Sequence, residues 1–355
     1  MRDKKVENIN GLKTLKRVRQ KLHTLKQVGL RGAYHRLMYA WQGRERRCSF
    51  GDKNADITFY VIRGIDYMSK HYTGVVALHL LAVHSYVLSH ILYAREKGWT
   101  PVVDQEGDPT VSNREEFAVN GTYNPWEYFW RQPSPYTLED VYVSRHVVLS
   151  RQNWYEPGNL GYSIENHQNL ETIHFYHELS SCAPLNDETA KQVNHWRESL
   201  FTGRGKILGI SLRRGGHAKG DDIHGPNHPI QPEPEEMIEI ARQRMQEWKM
   251  DCIFLATEEE LYIEQFQKIF GTKLIFLPRI RYHDWHSFAQ GKDPLYQPGH
   301  RYQTTLEYLT EMELLACCNA LIGSITSGLR YAIIQNDGGY EHLEVLDCGR
   351  FPKKE

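Results

Sequence analysis

Two adjacent arginines, Arg213 and Arg214, stand at the end of an apolar run, Ile207 to Leu212, and are followed at once by Gly215 and Gly216. A guanidinium keeps its charge at any ordinary pH and offers paired donors to a phosphate. The apolar run reads as a short buried strand. The glycines let the backbone turn tightly or approach a ligand. In an open α/β sheet, ligands sit beyond the carboxyl ends of the strands, where this pair falls. The pattern fits a pocket for the diphosphate of a nucleotide-sugar; a pair of surface arginines at a strand end is the plainer alternative.

Sugar transfer from such a diphosphate must stabilise the leaving group, take a proton from the acceptor hydroxyl and keep water out. The departing charge can be met by a divalent cation or by fixed cations and helix ends. Metal-dependent transferases usually carry an Asp-x-Asp, and no such sequence occurs here. Asp221 and Asp222 are neighbours whose side chains diverge. The arginines, with His217 and Lys219 downstream, can take the metal's place, so neither metal nor cofactor is expected. Ser324, Thr326 and Ser327 precede a helical stretch over 328–335 and can offer hydroxyls and backbone N–H groups at its start. Arg330 lies on its first turn. Glu258 and Glu259 follow an apolar strand at 252–256, where a carboxylate can bind a ribose or orient Arg214; at the head of an acid-rich helix they equally suit the helix dipole. His283 and His286 lack a third ligand and read as surface loop.

The elements that must hold these residues alternate. A strand is expected at 57–63, a long buried helix at 75–95 and a second strand at 99–104, a strand–helix–strand crossover. Residues 171–175 and 186–201 read as helical. The second half then gives strands at 207–212, 252–256, 274–277, 320–323 and 343–346. Helices are expected at 232–248, 262–270, 309–317 and 328–335. Such alternation implies parallel sheets covered by helices. Asn124 to Trp130 is an aromatic cluster, suited first to core packing and second to a sugar platform. The loop 278–303 is long enough to be a binding loop.

Of 355 residues, 40% are hydrophobic and 25% charged, as in ordinary globular proteins. The net charge of −1 divides unevenly: residues 1–47 carry +11, leaving −12 for the remainder. An acidic body argues against nucleic-acid binding. The basic leader shows amphipathic spacing over 12–41, suited either to an anionic membrane surface or to packing on the body or another chain. The six cysteines form no Cys-x-x-Cys pair, which fits a reducing compartment. No apolar run reaches about 18 residues, the length of a spanning helix. A cytoplasmic protein, peripheral at the inner face of the membrane, is the expectation.

Three blocks give the sequence a family likeness. Ser211-Leu212-Arg213-Arg214, with the loop to His228-Pro229-Ile230, resembles a His-x-Arg-Arg-x-Asp-Lys motif; Phe254 to Glu259 resembles an apolar strand ending Ala-Thr-Asp-Asp; Glu313 to Arg330, with Cys318 to Ser327, resembles an Ala-Asp-x-x-(Val/Ile)-x-(Thr/Ser)-x-Ser-Ser motif. Together they resemble the fucosyltransferase superfamily, closest to the α-1,6-fucosyltransferases of the bacterial nodulation and eukaryotic core type. The likeness runs over 207–335 and is weaker over 57–130. It implies a GT-B-type α/β fold, with two Rossmann-like domains facing a cleft. The divisions would be a basic extension (1–47), an acceptor-side domain (48–200) and a nucleotide-sugar-binding domain (201–355). It further implies an inverting, metal-independent transfer of fucose from GDP-fucose to a glycan or glycolipid acceptor. Asp221, seven residues after Arg214, falls at the family's acidic base, with Lys219 near the family's lysine; Asp222 is the second candidate. Gly74 would lie near the phosphates, and Asn319 stands where an aspartate contacts the guanine. The chain departs from the pattern at Ser211, at Gly215-Gly216 and at Asn319. Another nucleotide-sugar donor, or a non-catalytic nucleotide-sugar-binding protein, is therefore the alternative.

Overall fold

The computed structural model describes residues 43–64, 80–106, 114–155, 164–213, 228–283 and 300–351. The helix expected over 12–41, Gly74, the stretch holding Arg214, Gly215, His217, Lys219, Asp221 and Asp222, and most of the 278–303 loop lie outside them.

The first sheet is built from β1 (Arg46–Cys48), β2 (Lys53–Ile62), α1 (Leu80–Glu96), β3 (Thr100–Val103), α2 (Leu138–Val141) and β4 (Ser144–Leu149). Its strand order is β1-β4-β2-β3. Strand β2 runs parallel to β3 and β4, and β1 pairs antiparallel with β4. The expected crossover β2-α1-β3 is present, whereas β1 and β4 were not anticipated. Arg46 and Arg47 pair with Leu149 and Val148, so the division after residue 47 cuts through a strand. The aromatic cluster is core: Trp126, Tyr128, Phe129 and Trp130 are at most 1% exposed, which removes them as a sugar platform. Trp126 and Trp130 stack with ring centroids 4.6 Å apart.

Three helices follow: α3 (Ile164–Gln168), α4 (Leu170–Ser180) and α5 (Asp187–Phe201). Asn169 and Asn186 cap the last two, each accepting the N–H three residues on, from Thr172 (2.8 Å) and Thr189 (2.9 Å). A short polar side chain satisfies an otherwise orphaned donor there.

The second sheet is formed by β5 (Ile207–Ser211), α6 (Pro234–Glu247), β6 (Cys252–Ala256), α7 (Glu260–Phe270), β7 (Leu274–Ile275), α8 (Arg301–Ala316), β8 (Ala320–Ser324), α9 (Ser327–Asn336) and β9 (His342–Leu346). The order is β7-β6-β5-β8-β9, with every pair parallel. Strands β5, β6 and β8 are buried along their whole length. Burial on both faces is why they read as continuous apolar runs rather than alternating ones. One face is covered by α6 and α7, through Met237, Ile238, Ala241, Met245, Ile263 and Phe266. Each such side chain contributes about 1.5–3 kcal/mol when fully buried.

The other face is covered by α8 and α9, with α5 against α8 and α4 against α9. Phe201, at the end of α5, meets Phe254 of β6 with centroids 5.3 Å apart. A division after residue 200 therefore separates α5 from the sheet it covers. One apolar cluster runs from Tyr60 and Tyr86 through Trp130 to Leu309, Tyr331 and Phe254. Helix α8 begins eight residues earlier than its apolar spacing suggests. Its first turn is fixed from outside: Tyr302 stacks on Phe129 (5.5 Å), and Glu115 accepts the Tyr302 N–H at 2.7 Å.

Candidate active site

In the second sheet the chain leaves β5, winds outward through β6 to β7, then returns by α8 to place β8 on the other side of β5. The connections α6 and α7 on one side of β5 and α8 and α9 on the other thus lie on opposite faces, and they part at the carboxyl ends of β5 and β8. A crevice at such a reversal is where open α/β sheets bind ligands. Here it is lined by Ser211, Leu212, Arg213, Thr257, Glu258, Tyr308, Glu311, Met312, Thr326 and Gly328.

Three strand ends contribute. Arg213 follows β5 and Glu258 follows β6; Arg213 Nε lies 3.3 Å from Glu258 Oε2. Glu259 turns away from the crevice. It is 5% exposed and bridges Tyr282 in the following segment, so only Glu258 of the acidic pair faces the site. Thr326 follows β8 and caps α9, its hydroxyl oxygen accepting the Leu329 N–H at 3.0 Å. Thr326 and Gly328 put the N-terminus of α9 in the crevice wall, the end of a helix that favours an anion. Ser327 opens that helix half-buried. Ser324 is committed elsewhere, its hydroxyl donating to Ile230 O at 3.3 Å.

Gly328 lets two side chains of α8 come close. A Cβ there would stand 2.6 Å from Tyr308 Oη and 2.7 Å from Met312 Sδ. The Tyr308 phenol, pushed up to about 12 by burial and drawn down by Arg213, is neutral at any physiological pH. His228 sits near Arg213 and Arg350. Burial, then these charges, hold its imidazole below the usual range.

Two expected site residues stand apart from the crevice. Asn319 precedes β8 at the amino end of the sheet, where its carbonyl oxygen accepts the Ile207 N–H at 2.9 Å and its amide reaches Glu341 at 3.5 Å. Five residues of strand, about 3.3 Å each, separate it from Thr326. It fastens the amino end of the sheet, away from the crevice. Arg330 is 4% exposed, outside the crevice lining, and its charge reaches Tyr176 on α4.

The structure adds residues that sequence reasoning missed. Behind Glu258, Arg279 and Arg281 close on Glu311 of α8, at 2.9 and 2.6 Å. Both also donate to Thr257 O, at 3.2 and 3.0 Å. The alternation Arg279-Ile280-Arg281 was the available signal, because extended chain puts both arginines on one side. Among the described residues no group of three or more His, Cys, Asp or Glu could hold a metal ion, and no helix is long and apolar enough to cross a membrane.

Comparison with protein-family models and with curated proteins finds no match. Solved structures do match. The chain is similar to NodZ α-1,6-fucosyltransferase soaked with GDP-fucose (14% identity, 79% of this chain and 92% of that one, TM-score 0.43). It is also similar to Arabidopsis thaliana FUT1 in complex with GDP (13% identity, 92% and 77%, TM-score 0.43) and to POFUT1 in complex with GDP-fucose (8% identity, 81% and 98%, TM-score 0.42).

Proposed function

We propose that the chain is an inverting, metal-independent glycosyltransferase that moves fucose from GDP-fucose to a glycan or glycolipid acceptor. The observation that carries this reading is the crevice between β5 and β8. It receives a guanidinium from one strand end and the Thr326-capped N-terminus of α9 from the other, two fixed sources of positive potential of the kind a leaving diphosphate requires. The motif likeness over 207–335 supports fucose as the sugar and guanine as the base. Arg213 and Arg214 would bind the diphosphate, with His217, Lys219 and Gly215 beside them, and Asp221 would take the acceptor proton. The first sheet would present the acceptor across a cleft, with Gly74 near the phosphates. The basic residues 1–47 would rest on an anionic membrane at its cytoplasmic face.

The test is a melting-temperature panel with GDP, UDP, ADP and CMP, followed by transfer assays with and without excess EDTA. GDP should raise the melting temperature and UDP should not, and transfer should survive chelation. A response to UDP alone would end the fucose reading. Loss on chelation restored by Mn²⁺ or Mg²⁺ would end the metal-free mechanism.

A further inference from the structure

The buried cluster behind the crevice holds two cations for one anion. Arg279, Glu311 and Arg281 have side chains only 3%, 1% and 5% exposed. Each Glu311 oxygen serves one guanidinium, and a single backbone carbonyl, Thr257 O, accepts from both arginines. Arg281 also donates to Leu277 O at 2.9 Å. The Arg279 Nε is buried without an acceptor among the described residues. The nearest further charges are Glu258, which pairs with Arg213 in the crevice, and Glu307, which accepts from Gln303 on the exposed face of α8 at 2.8 Å. Removing three ions from water costs several kcal/mol each, and apolar side chains of the same volume usually pack as stably. Packing alone therefore gives no reason for this cluster, and least of all for its unequal charge.

Glu311 belongs to the crevice wall together with Tyr308 and Met312. A surplus charge held out of water acts over several ångströms with less screening than one in solvent. We propose that Arg279 and Arg281, held in place by Glu311, supply a second, non-contacting layer of positive potential that draws the diphosphate of the donor into the crevice. Glu311 is then a positioning residue that also sets the size of the surplus. This inference rests on the nucleotide-sugar reading of the crevice.

Two substitutions push the surplus in opposite directions. Arg281→Met removes one positive charge and leaves an equal pair; Glu311→Gln removes the negative charge and keeps the shape. Nucleoside-diphosphate affinity by calorimetry should weaken about tenfold in the first and tighten severalfold in the second. Arg281→Lys keeps the charge and should stay within about threefold of the parent. A merely structural cluster would lower stability in both charge-changing variants and move affinity in one direction or not at all, and that result would overturn the proposal. Should Arg281→Met fail to fold, Glu311→Gln decides: tighter binding beside an Arg281→Lys within about threefold of the parent supports the proposal, and unchanged or weaker binding in Glu311→Gln overturns it. A parent that binds none of GDP, UDP, ADP and CDP would overturn the donor reading itself, whereas a parent that binds with variants that bind equally would overturn this inference alone.

Discussion

Arg213 already has a partner in Glu258, 3.3 Å away; in the proposed reaction Arg214 and Asp221 are the residues whose substitution would separate binding from catalysis. Arg214→Ala should lower transfer by about 10²–10³, the usual cost of losing one preorganised donor, and should also weaken GDP binding. Arg214→Lys should not restore it, because a point charge lacks the planar fork. Asp221→Asn should leave GDP affinity nearly unchanged and lower transfer by about 10²–10⁴. Calorimetry and product detection separate the two; near-parental transfer by Asp221→Asn would pass the role of base to Asp222. Arg213 and Glu258 were legible because a charged residue straight after an apolar strand lands at the sheet's exit. Asn319 stands apart from the crevice because motif spacing names the strand but not which of its ends lines the pocket. Arg279, Arg281 and Glu311 were invisible because a buried ion cluster joins segments 30 residues apart, and no local pattern announces that joining.

At the scale of the element, the fit of α9 onto β8 depends on one glycine. A Cβ on Gly323 would stand 2.7 Å from Leu329 Cδ1 and 3.2 Å from Ser211 O, so both the neighbouring strand and the helix would have to give. Gly323→Ala should cost about 1–3 kcal/mol, as overpacking does. It should also weaken nucleotide binding, because Leu329 donates the N–H that orients Thr326. Chemical unfolding measures the first and calorimetry the second; an unchanged midpoint would show that α9 can slide without loss. The strands of the second sheet were legible as apolar runs, since both their faces are buried. Strand β4 was not, because its half-exposed pattern, with Arg145 and His146 outward, differs from that signal. The start of α8 was hidden for another reason: its first turn is secured by Glu115 and Phe129, from the segment between β3 and α2, not by its own apolar spacing.

Across the whole molecule, two histidines in the shared core set a limit on acid stability. His84 is 2% exposed among Trp126, Trp130 and Tyr331, and burial pushes its imidazole down to about 3. His90 is fully buried between Tyr60 and Asn153 O and is pushed down to about 4 by the same cause. Both folded values lie below the ordinary 6.5, so the unfolded chain takes up protons that the folded chain refuses. Stability is complete above about pH 6.5 and falls as pH drops from there toward 3–4. At pH 5 each histidine should cost about 2 kcal/mol. His84→Phe fits the same aromatic surroundings and should lose about 2 kcal/mol less than the parent between pH 7 and pH 5. Parallel denaturant titrations at the two pH values measure this, and equal losses would show that His84 accepts a proton in the folded state.

The cap on α8 has a consequence for how the chain is made. Glu115 and Tyr302 are 187 residues apart, so the helix that walls the crevice cannot complete its first turn from its own neighbourhood. Contacts of that separation slow folding, because a long loop must close before they are rewarded. During synthesis, however, the amino-terminal part emerges and folds first. The carboxylate of Glu115 and the aromatic bed of Phe129 are made long before Tyr302 leaves the ribosome. If the amino-terminal part has folded by then, the segment between β3 and α2 serves as a template for the start of α8. A circularly permuted chain that delivered residues 300–351 ahead of residue 115 would reach the same end state by a slower and more aggregation-exposed route.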